Sequence, residues 1–418
     1  MIQLLEGRAG VYSGWHPPVM SWLLGLGDAL APGAALFVMA DALLLFGSLL
    51  SILWLAPRVS WVAAAVAGLS VLLPQFLLYP GIVWKDVLFA NASIAGFIVL
   101  AHLERNWAHA FGRFALSLLA LLILTLAVLS RQNGAILLPF AAFAIGWMAR
   151  KHGSSVGKAA ALGVAGLACV IVLAAIVTVA LSTRVSAGRG MSKQVRLLEF
   201  YDLVGGLAAD PQVALPTLRQ SKPALLRLMR SDGRRLYSPA RSDTLAHSSR
   251  LQAALAAAPD NVLHKPWLEF ILHRPGLYLR DRAEVFRWVF LTPGLNACVP
   301  YVVGLRGPPR IMNELGLRER VSARDRWISG YASVFAGTPI FSHLTYFVLA
   351  LGELVFLLWR RRGNDGVFVC LLSGALAFCG SFFFVSIACD YRYLYLLDLT
   401  ALVSLSYLSL DARLARER

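Results

Sequence analysis

An all-α, polytopic membrane helical bundle with one long helical extracytoplasmic insertion is the fold that this 418-residue sequence predicts. Hydrophobic residues make up 58% of the chain, its mean hydropathy is +0.65, and apolar runs of spanning length recur along it. The runs are rich in Leu and Ala and do not alternate, so they satisfy their backbone polar groups as helices and not as barrel strands. Because about 20 apolar residues cross the bilayer as helix, nine runs read as spans: 31–56, 60–79, 87–103, 113–130, 135–149, 158–182, 338–359, 366–388 and 393–410. The expected organisation is an N-terminal membrane bundle with a first outer loop (1–182), an extracytoplasmic, mostly helical region (183–337) and C-terminal membrane helices (338–418).

The positions of the 39 Lys and Arg residues orient the bundle. Twelve fall on one side, in short connections or the C-terminal tail: Arg58, Arg105, Arg113, Arg150, Lys151, Lys158, Arg360, Arg361, Arg362, Arg413, Arg416 and Arg418. That side is expected to be cytoplasmic, which places the opposite face outside a bacterial cytoplasmic (inner) membrane. Another 23 lie in the long connection 183–337, and connections of that length cross regardless of charge. The remaining four, Arg8, Lys85, Arg131 and Arg392, sit at span ends on the outer face, each within a polar cluster.

Those clusters read EGRAGVYSGWHPP (6–18), LYPGIVWKD (78–86), SRQNG (130–134) and CDYRY (389–393). If the helix ends meet, four cations, the acids Glu6, Asp86 and Asp390, and several Tyr and Trp residues converge at one membrane-water boundary. Isolated cations on the translocated side run against the usual bias and suit an anionic headgroup. Each cluster also has a structural reading. Trp and Tyr form interfacial belts, His16-Pro17-Pro18 can start a helix, Lys85-Asp86 can pair locally, and Arg131-Gln132-Asn133-Gly134 can be a turn. Their coincidence on one face, with one sign of charge, favours the functional reading.

With these motifs in this order and on this side, the chain resembles the GT-C superfamily of membrane glycosyltransferases, whose relatives include protein mannosyltransferases and lipid A aminoarabinose transferases. The resemblance rests on His16-Pro17-Pro18, Lys85-Asp86, Arg131-Gln132-Asn133-Gly134 and Arg392-Tyr393 before an apolar helix. It implies a transferase that moves a sugar from a polyprenyl-phosphate carrier to an extracytoplasmic acceptor: a glycolipid, polysaccharide or protein of the cell envelope. The implied catalytic acids are Glu6 first and Asp86 second. Arg8, Tyr12, His16, Lys85, Arg131, Asn133, Asp390, Arg392 and Tyr393 are the implied substrate-binding residues. Fixed cations would favour the transition state as charge develops on the departing lipid phosphate. No ligand set has metal spacing; the reading admits a divalent metal without demanding one.

The family pattern also has a leading span and, after it, an acid ahead of the His-Pro-Pro element. The expectation is therefore a chain lacking its first helix and that catalytic acid. With Met1 as the true start, Glu6 is the only acid left in the first loop and activity is in doubt.

The long segment 183–337 carries 23 basic against 12 acidic residues, net +11 of the chain's +16. Apolar residues at helical spacing predict several short amphipathic helices. Residues 267–290 are expected on the membrane surface, with Trp267, Tyr278, Phe286 and Trp288 inward and Arg274, Arg280, Arg282 and Arg287 toward phosphates. Residues 241–261 read as a mobile linker leading into a helix. Cys169, Cys370 and Cys379 fall within spans, and the sequence does not fix a bridge between Cys298 and Cys389. Asp41 and Asp398 are intramembrane acids and suspects by default, whereas Asp28 reads as interfacial. A segment facing away from the cytoplasm disfavours a nucleic-acid partner, and the absence of a Gly-rich nucleotide loop argues against a soluble nucleotide sugar.

Two other readings stay open. A polymerase or ligase acting on lipid-linked oligosaccharide would place its key Arg and His in the long segment, where His273 and Arg274 are adjacent. A lipid-linked sugar flippase or transporter would favour paired broken helices and repeat symmetry, which the sequence does not display.

Overall fold

A computed structural model describes residues 1–13, 16–55, 61–184 and 190–410. The expectations that rest on Trp15, Arg58, Arg413, Arg416 and Arg418 lie outside the described residues. The protein is 78% helical, and among the described residues there is no strand, only isolated bridges at Arg241–Ala388 and Leu305–Arg320. It is an all-α membrane bundle. Among the described residues six helical stretches are long and apolar enough to cross a membrane: Ala35–Leu55, Lys85–Arg105, Ala110–Ser130, Val156–Ser182, His343–Arg360 and Gly363–Val385.

A further pair of apolar helices is bent, as a broken span or a re-entrant loop would be. Ala64–Val71 and Pro74–Gly81 meet at 68°, because Pro74 lacks an amide hydrogen and forces Leu73 before it into extended backbone. The expected spans 135–149 and 393–410 form helices of 14 and 15 residues, Leu138–Lys151 and Tyr395–Ser409. At about 1.5 Å per residue these fall short of a hydrocarbon core about 30 Å thick.

The chain divides into two compact units, Met1–Ser186 with Tyr301–Cys379 and Leu394–Arg418, and Ala187–Pro300 with Gly380–Tyr393. In the N-terminal part of the first unit, Met1–Ser186, the helices in chain order are α1 (Ile2–Ala9), α2 (Pro18–Leu30), α3 (Ala35–Ile52), α4 (Trp61–Val71), α5 (Pro74–Leu77), α6 (Lys85–Arg105), α7 (Ala110–Ser130), α8 (Leu138–Lys151) and α9 (Val156–Ser182). Seventeen of the 21 residues of α6 are buried, so it is the central post of the bundle and not a lipid-facing span.

Two apolar clusters bring the first loop to the end of the bundle where α6 begins and α7 finishes. Leu4, Met20, Leu24 and Phe37 pack with Leu88 and Val83. Tyr12, Val19 and Leu181 pack with Leu126 and Leu129. Helix α1 can lie directly on α2 because two glycines face each other: a Cβ on Gly25 would sit 2.5 Å from the Gly7 carbonyl oxygen.

The second unit opens with α10 (Gly190–Ala209) and includes α11 (His264–His273) and α12 (Pro275–Leu291). Its core joins Phe200, Leu207, Met229, Leu251, Phe270 and Val285. Residues 241–261 are not a loose linker: they form two short helices, and Leu245 and Leu251 are fully buried in that core. Sequence reasoning was misled by the Ser, Ala and Asp content, although Leu245, Leu251 and Leu255 carry the burial. In 267–290, Tyr278 turns inward as expected, but Arg282 is fully buried and reaches no solvent.

Gly25→Val should cost about 1–3 kcal/mol through overpacking against Gly7, seen as a lower thermal unfolding midpoint in detergent. Gly47→Ala, whose Cβ would meet nothing within 4 Å, should leave that midpoint unchanged or raise it.

Candidate functional site

At the start of α6, Trp84 in extended backbone caps the helix and Lys85 and Asp86 form its first turn. At the end of α7 the chain leaves helix at Ser130, and Arg131, also extended, turns back into the bundle. The two ends meet in an ion pair between Arg131 Nη1 and Asp86 Oδ1, with side chains only 8% and 2% exposed. Arg131 Nε donates to Asn133 Oδ1 at 2.8 Å, and the guanidinium lies 5.4 Å from the centre of the Phe378 ring. Phe378 in turn packs on Phe89 of α6, at 4.9 Å between ring centres. A buried guanidinium is tolerable only with a carboxylate, a hydrogen-bond acceptor and an aromatic face around it, and all three are present. Beside it the half-buried Lys85 donates from Nζ to Gln132 Oε1 at 3.3 Å. Lys85, Asp86, Arg131 and Asn133 are thus brought together as the sequence proposes, and Tyr79 and Trp84 stand edge to face 6.1 Å apart on the same loop.

The first loop is ordered around Glu6 and Arg8. Glu6 accepts from the Ser13 amide at 3.1 Å and from the Ser21 hydroxyl at 2.7 Å. Arg8 is clamped in two bonds of 2.7 and 2.8 Å to Asp28, whose Oδ1 also accepts from the Gly33 amide at 2.7 Å. The Arg8 and Gly33 bonds hold the Asp28 carboxyl down at about 2. Arg8 is therefore a corner staple of the loop, where the sequence suggested an anion ligand. Tyr12 is 2% exposed and its amide donates to the Arg184 carbonyl at 2.9 Å. His16 lies half-buried just ahead of Pro17 and Pro18, and Pro18 occupies the first position of α2.

Asp390, Arg392 and Tyr393 belong to the second unit. Asp390 bridges two guanidiniums: Oδ2 accepts from Arg392 at 2.8 Å and Oδ1 from Arg241 at 3.2 Å. Arg241 also bonds Asp243 at 2.6 Å and the Ala297 carbonyl at 2.6 Å. The two arginine side chains remain 31% and 28% exposed, so they can still meet an anion. Arg392 lies 5.7 Å from the centre of the Tyr393 ring, which stacks on Phe382. The segment is anchored by a disulfide, Cys298–Cys389, with Cα atoms 4.8 Å apart. Arg241 is a residue that sequence reasoning missed; nothing local in YSPARSD marks it out.

Buried polar pairs in the first unit account for the intramembrane acids. Asn91 donates to Asp41 at 3.0 Å, and His343 pairs with Asp398 at 2.7 Å. Tyr395, stacked on Tyr79, donates to the Gln75 carbonyl at 2.8 Å. Glu353, in the middle of a spanning helix, was also missed; it is 5% exposed, and neither carboxyl oxygen has a hydrogen-bond partner among the described residues. Among those residues no group of three or more His, Cys, Asp or Glu side chains could hold a metal ion.

Arg131→Met leaves Asp86 buried without its cation and should cost about 3–5 kcal/mol, most of it recovered when Asp86→Asn is added; a double-mutant cycle on thermal unfolding reads the difference. Cys389→Ser should lower stability by about 2–5 kcal/mol and abolish the mobility difference between reduced and non-reduced gels. Compared with protein-family models, curated proteins and solved structures, the chain finds no match.

Proposed function

We propose that the protein is a membrane glycosyltransferase that takes a sugar from a polyprenyl-phosphate carrier and places it on an extracytoplasmic glycan, lipid or protein acceptor. The observation that carries this reading is the buried Arg131, held by Asp86 and flanked by Lys85, at one end of an apolar bundle. A guanidinium stays charged even where it is partly desolvated, and Lys85, next to Asp86 in the first turn of α6, adds a second cation. Negative charge that develops on the departing phosphate would be met by groups already in place.

Asp86 is already engaged by Arg131, so it serves as orienter of that cation and leaves the role of proton acceptor to Glu6. The Glu6 carboxylate is fixed by the Ser13 amide and the Ser21 hydroxyl. Arg392, with Arg241, supplies a second anion-binding element. The disulfide in the second unit supports an oxidising, extracytoplasmic location for that unit; the membrane we assign is the bacterial inner membrane.

A cleft of about 420 Å³ lined by His273, Arg274 and Arg280 in the second unit favours a second reading, a polymerase or ligase acting on lipid-linked oligosaccharide. Substitution separates the two. Under the transferase reading Lys85→Ala and Arg131→Lys should each lower sugar transfer about 10²–10³-fold, and mass spectrometry of cell-surface glycolipids should show a difference of one sugar. Loss of long polymers alone, with His273→Ala and Arg274→Ala as the damaging changes, would establish the polymerase instead.

A further inference from the structure

The second unit grips the chain immediately before Asp390 and Arg392 at four successive points. Arg282 of α12, fully buried, donates from Nη1 to the carbonyls of Phe384 at 3.1 Å and Ser386 at 2.9 Å. Next, Ser242 donates its amide to the Ile387 carbonyl and Cys389 donates its amide to the Ala240 carbonyl, each at 2.9 Å. Then Cys389 is covalently tied to Cys298, and Arg241 holds Asp390. Phe384 lies in the last turn of the helix Gly366–Val385, where carbonyls have no partner within the helix; a cation there satisfies them and complements the helix dipole. Arg282 is itself fixed by Asp202 at 2.9 Å, and Asp202 accepts from the Trp267 indole at 2.8 Å.

We propose that Arg282 is a positioning residue: it sets the end of the Gly366–Val385 helix so that Arg392, with Arg241, presents a fixed pair of guanidiniums to a phosphate group. The inference rests on the transferase reading above. Stability alone does not call for this pair, since replacing a buried ion pair by an apolar pair of similar volume is often neutral or stabilising. Here the guanidinium instead reaches past its carboxylate to two carbonyls of the segment that bears the anion ligands. Nη1 takes both carbonyls while Nη2 faces Asp202, and a lysine ammonium, a single compact point of charge, does not serve both sides in that geometry.

The test uses the full chain in lipid nanodiscs and the double variant Asp202→Asn with Arg282→Met, which removes both charges together and keeps an acceptor for Trp267. Hydrogen exchange of peptides covering 384–394 should speed up, and binding of undecaprenyl monophosphate should weaken about tenfold, the scale of a lost charge-assisted contact. Arg282→Lys, which keeps the charge opposite Asp202, should fall between the double variant and the unaltered protein in both measurements. Unchanged exchange in the double variant overturns the proposal, as does faster exchange with undiminished binding. If the double variant does not accumulate, Arg282→Lys is decisive alone: unaltered values in both measurements overturn the proposal. Absence of undecaprenyl monophosphate binding in the unaltered protein sinks the transferase reading, and the positioning role with it, whereas exchange still reports whether Arg282 holds the segment.

Discussion

An arginine can be kept inside an apolar helical bundle only if a carboxylate is built beside it, and the pair Arg131–Asp86 is that construction. Its demands reach far into the first unit. Asp86 must sit on the most buried helix, α6, so α6 must run through the middle of the bundle. Arg131 must turn inward at the end of α7, so that helix must stop at Ser130 and hand over to extended backbone. The aromatic floor of Phe89 and Phe378 fixes how closely the surrounding helices approach. Lys85 inherits its place from its neighbour, since a residue adjacent to Asp86 on the first turn of α6 cannot be far from the same boundary.

The second unit applies the same rule with a different purpose. Arg282 and Asp202 are both fully buried, and burial pushes the Asp202 carboxyl up to about 7 against the opposing pull of Arg282. Asp281, one residue before Arg282, accepts from the Tyr237 hydroxyl at 2.7 Å. A soluble-looking, strongly basic stretch thus hides a set of charges that never meet water. Arg282 and Asp202 cancel in its net charge, so the number of charges, and not their balance, overstates what the surface carries.

The membrane character, the helical class and most span positions were legible because they depend on runs of about 20 residues, and bilayer thickness leaves little freedom there. The grouping of Lys85, Asp86, Arg131 and Asn133 was legible for the same reason: antiparallel spans of similar length return the chain to the same end. Partners set by tertiary packing were not. Arg8 read as an anion ligand, yet Asp28, twenty residues away, accepts from its Nε and Nη2. Arg241 gave no local signal because its role depends on Asp390, nearly 150 residues later. Residues 241–261 looked mobile because their Ser, Ala and Asp carry little hydrophobic weight, while three leucines spread over two short helices supply the burial. Glu353 escaped notice because a single acid barely lowers the hydropathy of a long apolar run.

The Cys298–Cys389 bridge spans 91 residues, and two membrane-length helices, His343–Arg360 and Gly363–Val385, lie between its ends. An even number of crossings returns the chain to the side it left, which is the topology a bridge requires. It also fixes an order of events during biosynthesis. The sulfurs cannot meet until both hydrophobic segments have been threaded through the bilayer and Cys389 has left the ribosome. Completion of the basic region is thereby made conditional on correct insertion of the helices that follow it, so a chain misthreaded at either segment would carry two unpaired thiols on opposite sides of the membrane.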